Sequence, residues 1–166
     1  CAAVYAGLTA AEKLGGLLKD EGLCKMCEDR YDNLKNAVLD ELYSSEEGRF
    51  LRGIKYPKGD LKETRVDSSI DASLYSVFEF GLLPADDERV VNTMLAVINN
   101  LWVDSTGGIA RYGGDEYHRQ TDEEPGNPWI ICTLWIAKWK IMKSQSIEEL
   151  ETVMELLDWA ADCSLE

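Results

Sequence analysis

The chain has 166 residues, 45% of them hydrophobic and 29% charged, which is the composition of one folded domain with a sizeable core rather than of a disordered chain. The 31 acidic residues against 17 basic ones leave a net charge of −14. That balance argues against nucleic acid, whose phosphates demand a basic face, and against an anionic membrane surface. No apolar run approaches the roughly 20 residues that a membrane span needs.

The five cysteines are scattered, at Cys1, Cys24, Cys27, Cys132 and Cys163. An odd, scattered set argues against a secreted disulfide framework and fits a reducing compartment, so the expectation is a cytoplasmic protein. Cys24 and Cys27 have the spacing of a redox pair but lack the strand-turn-helix setting, and read as two small apolar residues on a helix face. The lone His118 has no ligand partners at metal spacing. Neither a metal site nor a cofactor is expected. The chain starts inside a helix-like pattern and ends just as another helix finishes, so neither terminus resembles the edge of a domain.

Hydrophobic periodicity predicts about six helices and little strand. The first covers roughly Ala2 to Lys19, is Ala-rich, and carries no charge before Glu12. The second, roughly Leu23 to Tyr43, repeats Leu23, Cys27, Tyr31, Leu34, Val38 and Leu42 at helical spacing with charges opposite, as an amphipathic surface helix does. The third, roughly Ser68 to Phe80, opens on Ser and Asp as capping residues. The fourth, roughly Asp87 to Trp102, follows Pro84 and is amphipathic through Val90, Met94, Val97, Ile98 and Leu101. The fifth begins at "NPW": Asn127 suits the N-cap and Pro128 the first helical position, which needs no donor. Its body is uncharged until Lys138, so it is predicted to be buried on every side. The sixth, Ile147 to Cys163, starts with a capping box from Ser146 to Glu149.

Buried and half-buried helices therefore alternate. The buried ones start near 2, 68 and 127, a period of roughly 60, longer than the 33–47 of common helical-pair solenoids. Links from a buried to a half-buried helix are short. The links Ser44–Asp67 and Ser105–Gly126 are long, and with antiparallel helices they gather at one end. A plain bundle explains the helices but not this asymmetry. An all-α toroid with alternating inner and outer helices explains both, and gives a loop face on which function concentrates.

The loop from Gly107 to Gly126, "GGIARYGGDEYHRQTDEEPG", joins Arg111 and Asp115 to two tyrosines and runs into Trp129. Such a set suits a sugar, since planar side chains stack on a pyranose face while charged groups engage its hydroxyls. A solvated loop held by a structural Arg–Asp pair explains the same residues equally well.

"GGIARYGGDEYHR" followed by "GNPWIICTLWIA" resembles the conserved loop and helix of glucoamylases, glycoside hydrolase family 15. "CAAVYAGLTAAEKLG" and "SSIDASLYSVFEFGLLPADDERV" are similar to the family's inner helices, in the same order along nearly the whole chain. The resemblance implies an (α/α)6 toroid, of which this chain is about half. It implies hydrolysis of α-glucosidic bonds from a chain end with inversion, on α-glucans or on other glucosides such as trehalose. It implies that Arg111 and Asp115 hydrogen-bond sugar hydroxyls, and that Tyr112, Tyr117 and Trp129 wall the pocket. The stretch "HRQTDEEP" is longer than in fungal relatives.

An inverting glycosidase needs two carboxyl groups, one to protonate the leaving oxygen and one to activate water. In the family these lie in a Trp-Glu-Glu segment just before the helix that opens this chain, and in a loop just after the helix that closes it. Asp67, Asp71, Asp115, Glu116, Glu123 and Glu124 lie on or near the long-loop face, but none matches a catalytic position, and terminal Glu166 lacks the context of the base. The expectation is that residues 1–166 are the middle of a catalytic domain, without catalytic residues of their own and inactive alone. An open half-barrel leaves inner-helix surface exposed, so self-association is expected. A non-catalytic carbohydrate-binding or regulatory homologue, and a helical protein-interaction module, are the alternatives.

Overall fold

A computed structural model describes residues 1–57 and 63–164. Glu166 lies outside them. Helices α1 (Ala2–Leu18) and α2 (Glu21–Glu41) form an antiparallel hairpin. Lys19 ends α1 in the left-handed conformation, and Asp20 caps α2 by accepting the Leu23 amide at 2.9 Å. The two helices approach closely where Gly15 meets Cys24, since a Cβ on Gly15 would lie 2.9 Å from the Cys24 sulfur.

The first long link holds two short antiparallel hairpins. Strand β1 (Tyr43–Ser44) pairs with β2 (Arg49–Phe50), and β3 (Gly53–Lys55) pairs with β4 (Arg65–Asp67) in the register Gly53↔Asp67. A 3₁₀ turn (Ala72–Tyr75) then runs into the one-turn helix α3 (Ser76–Glu79). The third helix is thus shorter than predicted. Asp71 does cap it, taking the Ser73 amide at 2.8 Å, but Asp71 also bridges Tyr112, so the chain before it is extended.

Helix α4 (Glu88–Leu101) is capped by Asp87. Helix α5 (Ile130–Lys143) begins later than predicted, and Asn127 is not its cap. Pro128 bridges Ala110 and the Trp129 amide donates to the Ile109 carbonyl at 2.9 Å, so 128–129 joins an extended ladder first. The N-cap is Trp129, which makes no side-chain cap bond. Helix α6 (Ile147–Ser164) does open on its predicted box: Ser146 accepts the Glu149 amide, and Glu149 accepts the Gln145 amide.

The core lies between α4, α5 and the segments at their ends, around Leu82, Val90, Met94, Val97, Leu101, Ile109 and Trp139. The Trp139 indole donates to the Ala85 carbonyl at 3.0 Å, which satisfies its one polar atom inside that core. The predicted all-round burial of the first and fifth helices does not hold. On α1, Val4, Leu14, Leu17 and Leu18 are exposed, and on α5, Ile131, Ile141 and Met142 are exposed. The reason is geometric: α1 packs on α2 and only marginally on α3, while α5 packs chiefly on α6 and the 3₁₀ turn. No helix among the described residues is long and apolar enough to cross a membrane.

Candidate functional site

The long links meet on a shared backbone segment, 109–113. Ile109 bridges Trp102, Ala110 bridges Pro128, and Tyr112 bridges Asp71. The Ala72 amide donates to the Arg111 carbonyl at 2.9 Å and the Gly113 amide to the Ile70 carbonyl at 3.1 Å. On the α5 side, Thr133 takes the Ile109 amide at 2.9 Å and gives its own proton to the Trp129 carbonyl at 3.1 Å. At the outer end, Gly108 is left-handed, and a Cβ there would lie 2.4 Å from the Trp159 ring. That ring donates through its indole nitrogen to the Thr106 carbonyl at 2.8 Å. Helices α5 and α6 thus hold the loop in place from two directions.

This segment carries Arg111, whose guanidinium meets Asp115 at two points, Nε to Oδ2 at 2.9 Å and Nη2 to Oδ1 at 3.0 Å. Asp115 is 1% exposed and also accepts the Tyr117 amide at 3.2 Å. Burial alone would raise the carboxyl's pKa. The Arg111 bonds and the Tyr117 amide outweigh it, so Asp115 is held below the usual carboxylate range. The Arg111 pKa is raised by the same bonds.

Aromatic rings flank the pair. The Arg111 guanidinium carbon lies 4.9 Å from the centre of the Tyr112 ring and 4.9 Å from that of Trp129. Tyr117, 57% exposed, leans toward Trp129 with centroids 5.8 Å apart. The Trp129 indole nitrogen is shielded and has no hydrogen-bond partner among the described residues. All five residues singled out from the sequence, Arg111, Tyr112, Asp115, Tyr117 and Trp129, therefore occupy one place.

One participant, Arg52, carries no signal in the sequence. Arg52 lies 5.1 Å from the Tyr112 ring centre, and its Nε sits 2.9 Å from an oxygen of the buried Asp71. Asp71 had been noted as a cap and an acid of the loop face. Arg52 stands in the sequence as a lone arginine in an unpatterned link.

Of the remaining acids of this face, Asp67 and Glu124 are engaged. Asp67 is held well below its ordinary pKa, first by Lys55 at 2.8 Å and then by Ser69. Glu124 accepts the Ser105 and Asp104 amides and is lowered by them. Glu116 and Glu123 are exposed. Asp67 and Glu124 are thus lowered, the opposite of the upward shift that a general acid working near neutral pH needs. His118 lies edge-on to Tyr117 in the loop, with a positive φ. No group of three or more His, Cys, Asp or Glu among the described residues is placed to hold a metal ion.

The helices and their loop face form a segment of an (α/α)6 toroid. The family model for glycosyl hydrolases family 15 matches residues 1–161. An uncharacterised glycosyl hydrolase of Methanocaldococcus jannaschii is 32% identical over 136 residues, which are 81% of this chain and 20% of that protein. A trehalase of Mycobacterium tuberculosis is 32% identical over 111 residues, 66% of this chain and 15% of the trehalase. Among solved structures, a bacterial glucoamylase complexed with acarbose superposes with a TM-score of 0.68 at 21% identity, over 93% of this chain and 26% of that one. The chain belongs to glycosyl hydrolases family 15. It spans a fifth or less of the length of the two sequence relatives.

Proposed function

We propose that residues 1–166 are part of the catalytic domain of an inverting, exo-acting α-glucosidase of the glucoamylase type, and that they supply its glucose-binding wall. The observation that carries this reading is the two-point Arg111–Asp115 pair set between Tyr112 and Trp129. Bidentate charge fixes hydroxyl geometry, and the flanking rings offer the apolar face that a pyranose stacks on. The acid and the base are assigned to other segments of the parent protein, because Asp67, Asp71 and Asp115 are each held by a cation and Glu124 by backbone amides, while Glu116 and Glu123 stand exposed beyond the Arg111 pair. The acarbose bound to the solved glucoamylase and the trehalase relative favour an α-glucoside as the substrate class. The five free thiols favour a reducing, cytoplasmic setting.

The test is hydrolysis of maltotriose and of trehalose by the full-length protein that carries this segment, followed by proton NMR. Glucose released first as the β-anomer is the expected result. The α-anomer would overturn inversion. The absence of turnover on both sugars would overturn the enzyme reading and leave a carbohydrate-binding homologue. The 166-residue chain alone is expected to release no glucose.

A further inference from the structure

We propose that Arg52 is a second sugar-binding guanidinium of this wall, taking hydroxyls next to those met by Arg111. This rests on the reading of the site as glucoside-binding. The Arg52 carbon lies 5.1 Å from the Tyr112 ring centre and the Arg111 carbon 4.9 Å from the same point, so the two guanidinium carbons are no more than about 10 Å apart. One disaccharide spans that distance.

Arg52 is prepared for the task in the same way as Arg111. Its Nε faces the buried Asp71, which is fixed by the Ser73 amide and by the bridge to Tyr112. Its Nη1 stands 3.9 Å from the nearest Asp67 oxygen, beyond hydrogen-bond reach, and that carboxylate is already engaged by Lys55 and the Ser69 amide. The Nη edge thus makes no hydrogen bond among the described residues, and the side chain is 39% exposed. An anchored guanidinium with its outer edge free is a donor fork for oxygen pairs. With Asp71 offsetting its charge and Lys55 and Asp67 balancing each other beside it, the fork suits neutral hydroxyls rather than a phosphate or a carboxylate.

Arg52 also compensates the charge of Asp71, so a plain deletion confounds binding with folding. Two variants of the full-length protein separate them: R52K, which keeps the charge and loses the planar fork, and R52Q/D71N, which removes both charges together. Both are expected to raise KM for maltotriose or trehalose by about 10–100-fold, the range for a lost hydrogen bond to a charged group, with kcat nearly unchanged. If the double variant keeps the wild-type KM, Arg52 serves only to balance Asp71 and the inference fails. It fails equally if R52K binds as the wild type does. R111K is the control. Loss in R111K with none in the Arg52 variants overturns this inference and leaves the proposed function standing, whereas a wild-type protein that neither turns over nor binds either sugar overturns both.

Discussion

The hydroxyl of Thr133 joins the amide of Ile109, 24 residues earlier, to the carbonyl of Trp129 one turn before it. A single oxygen on α5 thus adds a side-chain tie, beside the direct Trp129 amide to Ile109 carbonyl bond, between the segment that carries Arg111 and the residue that forms the opposite wall. Thr133→Val keeps the shape and removes the bridge, leaving the buried Ile109 N–H unpaired. We expect a loss of about 1–3 kcal/mol of stability, read by urea unfolding, together with weaker sugar binding in the full-length protein. Unchanged values for both would show that the bridge does not position the site.

Asp115 is buried while Arg111 remains half-exposed, so the carboxylate is the fixed partner and the arginine the one it orients. Asp115→Asn retains the volume but weakens the two-point pair. The expected outcome is a stability loss of about 1–3 kcal/mol and a rise in KM of about tenfold or more. A variant with the same KM as the wild type would show that Arg111 needs no orienting carboxylate.

Asp67 and Asp115 have folded-state pKa values below the ordinary carboxylate value of about 3.9. Their contribution to stability is fully present above that value and is lost as pH falls through it, because the unfolded chain then binds protons that the folded one does not. The thiol of Cys132 acts at the other end. Burial pushes its pKa up to about 12, so its contribution is present below the unfolded thiol value and is lost as pH rises above it. Unfolding free energy should be nearly flat from about pH 5 to 8 and fall on both sides. Stability still rising on acidification below pH 4 would contradict the Asp67 and Asp115 assignments.

Leu17 and Leu18 stand 83% and 66% exposed near the end of α1, with Leu14 and Val4 exposed on the same helix. The isolated 166-residue chain is therefore expected to self-associate, with sedimentation velocity showing species larger than 18.6 kDa. Leu17→Glu should shift that distribution toward the monomer. A monodisperse monomer of the unaltered chain would disprove the expectation.

The sequence and the structure agree best where a local rule meets no competitor. The Ser146 to Glu149 box follows from side chains within a few residues, and it is found. The Arg111–Asp115 pair was visible because charge and aromatic residues cluster in one loop. Asn127 was misread because a favourable cap lost to a ladder with residues 109–110, a long-range pairing that no local spacing reveals. The predicted helix from Ser68 failed for the same reason, its first residues being drawn toward Tyr112. Arg52 was missed because its partners, Asp71 and Tyr112, lie 19 and 60 residues away, and only folding brings them to it.

The loop beyond Asp115 is closed at its neck. The amides of Gly114 and Asp115 both point to the Pro125 carbonyl, at 2.9 and 3.2 Å. The excursion from His118 to Glu123 lies outside that clasp, while the Arg111 pair, with the Tyr117 amide on Asp115, lies within it. Lengthening a loop whose ends are already fixed is cheap, with a doubling costing about 0.6 kcal/mol of closure entropy. Residues can therefore be gained or lost in this excursion, and with them the reach of the outer rim, while the Arg111–Asp115 pair stays unchanged. The clasp makes the outer rim an interchangeable part of the fold, free to change length without reopening the problem of how the Arg111 pair is built.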